Sequence, residues 1–250
     1  MNLIDILSKI QAGKLSADKA AEHIDKMYER DLGFARVDID RHKRCGLPEV
    51  IYCPGKTGRQ ITGIMTAMVK AKQDILATRA SAEQYKTVKR AHPKAKYNEP
   101  ARTITLMPKR PAQIPGTIVI VCAGTSDIPV AEEAAVTAEF MGARVERIYD
   151  AGVAGLHRIF KHISTLRKSS ALVVVAGMEG ALPSVIGGLI DRPIIAVPTS
   201  VGYGTNLQGF APLLAMLNSC VPGITVVNID NGFSAGVAAV MITRTGVRHQ

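Results

Sequence analysis

AGMEGALPSVIGGLIDRPIIAVPT, residues 176–199, decides how the rest of the chain is read. The stretch follows an apolar run, ALVVV, that ends at Val175, and it closes on a second, PIIAVP. Between them lies a helix-length segment rich in small residues. Strand, tight turn, helix, strand is a βαβ unit. In open α/β sheets the ligand lies in the crevice beyond the carboxyl ends of the strands. Glu179 comes just after the first strand, where the helix begins, so it is expected at the edge of a pocket. A carboxylate there also answers the positive end of a helix dipole.

The same alternation extends through the second half of the chain. TIVIVCAG reads as a strand, PVAEEAAVTAEFMG as a helix, ARVERIYD as a strand and GLHRIFKHISTLRK as a helix. After residue 199 come a helix, NLQGFAPLLAMLNS, a strand, ITVVNID, and a last helix, NGFSAGVAAVMITR. This order predicts a parallel sheet with helices on both faces. PKRPAQIPG, residues 108–116, has three prolines and reads as the interdomain linker. Before it, LIDILSKIQ and SADKAAEHIDKMYE are two helices, the second opened by Ser16. FARVDID, VIYC, DILATRA and ARTITLM read as strands, RHKRCG as a basic turn, and GKTGRQITGIMTAMVK and SAEQYKTVKR as helices. The expected organisation is a helical lead-in over 1–30, a small basic α/β domain over 31–110, and a doubly wound α/β domain over 111–250.

Composition narrows the partners. With 250 residues, 47% hydrophobic and 21% charged, the chain can bury a substantial core. No apolar run reaches membrane-spanning length, and MNLIDILSKI lacks the marks of a signal peptide, so a cytoplasmic location with no membrane partner is expected. The net charge of +10 is uneven: residues 1–115 hold 22 Lys and Arg against 12 Asp and Glu, whereas residues 116–250 hold 9 against 9. Such a surplus draws anions or forms a solvated basic face. Nucleic acid is not expected, because Trp is absent and only 4% of residues are aromatic, leaving little to stack on bases. The four cysteines, 45, 53, 122 and 220, show neither disulfide density nor zinc spacing.

Several loops carry chemistry. Ala123-Gly124-Thr125-Ser126-Asp127 joins a strand to a helix, and its glycine, hydroxyls and backbone N–H groups suit a phosphate. Asp127 would repel a bare phosphate, so it caps the helix or helps to hold a metal. Gly55-Lys56-Thr57 follows a strand, but residue 50 is Val, not the Gly that a Walker A loop needs. The glycines at 152, 155, 202 and 204 do not form GxGxxG at a helix start, so a nicotinamide dehydrogenase is poorly supported. Cys220 sits in a polar loop beside Asn218 and Ser219; a buried hydrophobe or a reactive thiol would both fit that spelling. Cys122 ends a strand and is expected in the core.

TSDIPVAEEA, YDAGVAGLHR, VVAGMEGALPSVIGGL, PIIAVPTSVGYG, MLNSC and VVNIDNGFSAG together resemble the LarB family, as does RHKRCGLPEVIYCPGKT in the first domain. The second domain is also similar to the aminoimidazole ribonucleotide carboxylase fold. The resemblance implies the substrate nicotinic acid adenine dinucleotide, carboxylated on its pyridinium ring by carbon dioxide or bicarbonate and cleaved at its phosphoanhydride. The products are pyridinium-3,5-biscarboxylic acid mononucleotide and AMP, on the route to the nickel-pincer nucleotide cofactor. It places the covalent cysteine on Cys220. Mg²⁺ is expected for the hydrolysis, with Asp127 and Glu179 as ligands; Glu179 alternatively removes the ring proton. Gly124, Thr125, Ser126, Gly177, Met178, Ser200 and Asn218 form the expected substrate-binding set. A homo-octamer is implied by the related carboxylase fold. The competing readings are a purine-pathway carboxylase or mutase and a non-catalytic nucleotide-binding module. The former looks for a histidine where this chain has Asp150-Ala151-Gly152-Val153-Ala154-Gly155, and His157 comes only later.

Overall fold

A computed structural model describes residues 3–107 and 112–247. The linker read at 108–116 therefore lies partly outside the described residues. Contacts divide the described chain into two compact units, residues 3–97 with 104–107, and residues 98–103 with 112–247.

The first unit begins with two helices, α1 (Leu3–Gln11) and α2 (Ala17–Tyr28), the second capped by the Ser16 hydroxyl as its sequence suggests. Strands β1 (Glu29–Asp31) and β2 (Arg36–Asp38) form an antiparallel pair. The basic turn RHKRCG is instead a five-residue helix, α3 (Arg41–Cys45). Acids neutralise it: Arg44 pairs with Asp38 and Asp40, Lys43 with Asp40, and Arg41 with Glu49. A four-stranded sheet follows, in the order β3-β4-β6-β5, from β3 (Val50–Tyr52), β4 (Ile75–Thr78), β5 (Lys96–Asn98) and β6 (Thr103–Leu106). Helices α4 (Gly58–Lys70) and α5 (Ala82–Ala91) each open on a capping box, Thr57 with Gln60 and Ser81 with Gln84. The α4 residues Ile61, Met65 and Met68 and the sheet residues Ile51, Ile75 and Ile104 form this unit's core.

The second unit carries a five-stranded parallel sheet in the order β11-β10-β9-β7-β8. Its strands are β7 (Thr117–Cys122), β8 (Arg144–Ile148), β9 (Ala171–Ala176), β10 (Ile194–Pro198) and β11 (Ile224–Val226). β7, β9 and β10 are buried almost throughout, as central strands of a sheet covered on both faces must be. Helices α6 (Ile128–Phe140) and α11 (Gly232–Val247) pack on each other and on one face. The other face is covered by α7 (Leu156–Phe160), α8 (Ile163–Lys168), α9 (Leu182–Gly187) and α10 (Phe210–Leu217), whose Ile159, Leu166, Leu182, Ile186 and Met216 meet the alternate strand side chains Val119, Val121, Leu172 and Val174.

Two predicted helices are interrupted. The stretch 156–168 is two short helices, α7 and α8. Residues 204–209 form an irregular 3₁₀ turn in which Leu207 and Gln208 are left-handed, and the regular helix starts only at Phe210. The doubly wound arrangement itself is as expected.

Candidate active site

β7 and β9 are neighbours, but the helices that follow them, α6 and α9, go to opposite faces of the sheet. The loops therefore part at the carboxyl edge, which is where such folds open a crevice. A cavity of about 390 Å³ lies there. It is lined by Gly124, Thr125, Ser126 and Asp127 after β7, Asp150, Gly152 and Arg158 after β8, and Gly177, Met178 and Glu179 after β9. Its volume falls in the range of small-molecule sites.

Asp127 is 3% exposed. Its Oδ1 accepts from the Thr199 hydroxyl at 2.7 Å, and its Oδ2 from the Gly124 N–H at 2.9 Å. Burial pushes its carboxyl above the ordinary range, while hydrogen bonds from Thr199, Gly124 and Gly177 pull it back and the charge of Asp230 adds to the rise. One carboxylate thus ties together the loops after β7, β9 and β10. Thr125 and Ser126 are exposed in the 3₁₀ turn Thr125–Asp127 that leads into α6. Glu179 is exposed on the cavity wall. Met178, with φ +52°, donates its N–H to the Val201 carbonyl at 2.8 Å. A side chain at Gly177 would drive its Cβ to 2.3 Å from that carbonyl, so only glycine fits.

Seven expected site residues, Gly124, Thr125, Ser126, Asp127, Gly177, Met178 and Glu179, thus meet in one cavity. Ser200, Asn218 and Cys220 are not among its lining. Ser200 is exposed and gives its N–H to Asp230 at 2.8 Å. Asn218 caps the end of α10 through Leu214 at 2.8 Å. Cys220 is a free, exposed thiol in the loop before β11, toward the amino-terminal edge of the sheet. Cys122 is buried at the end of β7, where desolvation pushes its thiol up to about 11, which makes it inert at neutral pH.

Three further residues shape the site. Arg158 is the single cation among the lining residues, and it pairs with Asp150 at 2.9 Å. It ends the YDAGVAGLHR segment, directly after His157. Thr199 holds Asp127. Asn206, 6% exposed, donates to the carbonyls of Met178 and Val201 at 3.3 Å each and accepts from the Gly209 N–H at 2.7 Å. Nothing in the spelling NLQGF marks that role, because it depends on a loop conformation the helical spacing hides.

Among the described residues no three His, Cys, Asp or Glu side chains gather as a metal cluster. Asp127 and Glu179 nevertheless line one cavity, and Mg²⁺ is commonly held by one or two carboxylates together with substrate phosphates. The lining also carries three carboxylates against one guanidinium, so a bound diphosphate would need added positive charge. Glu179, exposed on the wall, fits such an ion directly, whereas Asp127 fits it by giving up one of the hydrogen bonds that its two oxygens accept.

Comparison with known proteins shows the family. Residues 117–249 match the AIR carboxylase family model, and the chain belongs to that family. Residues 29–109 match the LarB/PurE-like N-terminal domain, and the two domains in this order are the LarB architecture. An uncharacterized protein of Methanocaldococcus jannaschii is 40% identical over 97% of each chain. N5-carboxyaminoimidazole ribonucleotide mutase of the same organism is 31% identical over 50% of this chain and 77% of its own. A crystal structure of Treponema denticola PurE2 covers 53% of this chain and 89% of its own, with 18% identity and a TM-score of 0.40. The family matches support a carboxylase-type enzyme. Among the described residues no helix is long and apolar enough to cross a membrane.

Proposed function

We propose that the protein carboxylates the pyridinium ring of nicotinic acid adenine dinucleotide and hydrolyses its phosphoanhydride, releasing AMP. The product, pyridinium-3,5-biscarboxylic acid mononucleotide, is a precursor of the nickel-pincer nucleotide. The observation that carries this reading is a free, exposed thiol at Cys220 in a chain of LarB architecture.

A pyridinium carbon is too electron-poor to attack carbon dioxide. Addition of the Cys220 thiolate para to the ring nitrogen moves an electron pair onto that nitrogen and leaves a dihydropyridine. Its neighbouring meta carbon, now enamine-like, forms the new bond to carbon dioxide. A base then takes the proton from that carbon, and the returning pair restores the double bond. Expulsion of the thiolate regenerates the aromatic ring. Covalent catalysis here divides one hard step into easier ones. Glu179, exposed on the cavity wall, is the carboxylate available to remove the proton or to share a metal.

For the hydrolysis, the hydroxyls of Thr125 and Ser126 bind phosphate, and Arg158 exchanges its Asp150 partner for a phosphate oxygen. Asp127 and Glu179 would hold Mg²⁺, which when bound supplies charge neutralisation at the phosphoanhydride. Cys220 is not among the residues that line its own chain's cavity, and on this reading a neighbouring copy in a homo-oligomer supplies the thiol. The mutase reading suggested by the archaeal relative is disfavoured by His157, which is exposed and absent from the cavity lining.

The test is mass spectrometry of products from the dinucleotide, bicarbonate and Mg²⁺, alongside aminoimidazole ribonucleotide as substrate. Wild-type protein is expected to yield the biscarboxylated mononucleotide and AMP. Cys220→Ser is expected to lose carboxylation; full activity in that variant would eliminate thiolate addition. Chelation is expected to slow AMP release, and release at an unchanged rate in metal-free buffer would remove the metal from the scheme.

A further inference from the structure

Resting on the reading of Cys220 as the nucleophile, we infer that Ser184 and Ser219 form a clasp that positions the thiol. Ser184 lies on α9 and Ser219 immediately precedes Cys220. Their hydroxyls share a hydrogen bond of 2.7 Å. The Ser219 oxygen also accepts the Val221 N–H at 3.3 Å, closing a tight turn around residue 220. Val221 in turn occupies the space beside Gly187, where an added Cβ would meet its Cγ1 at 2.7 Å. The loop is therefore anchored on α9 at the residue before Cys220 and at the residue after it, while the thiol itself stays exposed.

This arrangement serves a nucleophile that must meet one ring carbon. An exposed cysteine on an unrestrained loop would sample many positions, and few of them align sulfur with the ring. Misplacement of a reacting group by about 1 Å can cost about a hundredfold in rate. The helix that carries Ser184 is itself fixed, because Leu182 and Ile186 are buried in the core on this face of the sheet. Ser184 and Ser219 do not touch the substrate in this scheme, so they are positioning residues rather than catalytic ones.

The experiment compares full-length wild type, Ser184→Ala, Ser219→Ala and Ser184→Thr in two measurements. Ligand-free amide hydrogen exchange of the peptide spanning 218–222 is expected to quicken in both alanine variants and to return toward wild type with threonine, which keeps the hydroxyl. In steady-state carboxylation of the dinucleotide, kcat is expected to fall about ten- to a hundredfold in the alanine variants with KM nearly unchanged, and to recover in Ser184→Thr. Active wild-type protein with equal exchange in the variants, or with faster exchange and undiminished kcat, overturns the clasp alone. Wild-type protein that makes no product overturns the functional reading instead, whatever the exchange shows.

Discussion

Asp127 and Thr199 are buried polar residues brought together from 72 positions apart, and their bond of 2.7 Å has a measurable consequence. Thr199→Val removes the donor and leaves a buried carboxylate oxygen without it, which costs about 1–3 kcal/mol. The pH dependence follows from the direction of the shift. Asp127 has its carboxyl raised in the folded protein, chiefly by burial. Between the unfolded value, about 3.9, and the raised one, the native state holds more protons than the unfolded chain. This group's contribution to stability is therefore greatest at pH below the unfolded value and declines as pH rises through the raised value. Thr199 acts against that decline by favouring the charged form. Thr199→Val is expected to be less stable than wild type at pH 7, with the gap narrowing as acid protonates Asp127. Urea midpoints between pH 4 and pH 7 measure it, and a gap independent of pH would mean that the pair does not couple to ionisation. At this scale the sequence was legible where a residue type has few uses. Gly124, Thr125, Ser126 and Asp127 after one strand and Glu179 after another read as residues at the sheet's carboxyl edge, and they line one cavity there. Thr199 was not legible, since a threonine ending a strand has many fates and only the sheet's register brings it to Asp127.

The elements were read well where apolar spacing and caps agree. Ser16, Thr57 and Ser81 each open a helix by accepting from the N–H three residues on. The missed strands, β1 and β5, are three residues long and polar, ERD and KYN, so neither alternation nor propensity could mark them. The helix read over 206–219 failed for a different reason. Its apolar pattern is genuine from Phe210 onward, but Gly209 has φ +100° and Leu207 and Gln208 are left-handed, a path that Asn206 holds in place. Backbone in these regions costs on the order of 1–3 kcal/mol per residue and persists only where neighbours impose it. Asn206→Ala is expected to lower stability by about 1–3 kcal/mol through the unpaired buried groups it leaves. It is also expected to reduce carboxylation, because Met178 and Val201 then lose the support of their cavity wall. Asn206→Asp is expected to do worse than alanine at neutral pH, since it sets a carboxylate oxygen against two carbonyl oxygens. Thermal melts with circular dichroism, read beside product formation, decide the order. An aspartate variant as active as wild type would show that this loop does not shape the site.

For the whole molecule, the parallel sheet follows from the alternation of strands and helices, whereas the place of Cys220 outside the cavity lining does not follow from the spacing of residues. Sequence spacing gathers Glu179, Asp127 and Cys220 into one list, yet the fold sets the two acids at the carboxyl edge and the thiol in the loop before β11. The face beside that loop is apolar: Phe210, Leu214 and Leu217 recur at helical spacing on α10 and all three are exposed. Large exposed apolar side chains grouped in this way mark an interaction surface. On the reading proposed above, a second copy of the chain covers this face, and each complete site draws its sulfur from one subunit and its carboxylates from another. Two inactive variants then become informative together. Cys220→Ser keeps the cavity and lacks the thiol, while Glu179→Gln keeps the thiol and lacks the cavity carboxylate. Mixed after dissociation and reassembly, they are expected to regain carboxylation, because some interfaces join an intact cavity to an intact thiol. Each variant reassembled alone is expected to remain inactive. Recovery absent from a mixture shown by native mass spectrometry to contain both subunits would place the cysteine and the cavity of each working site in the same chain.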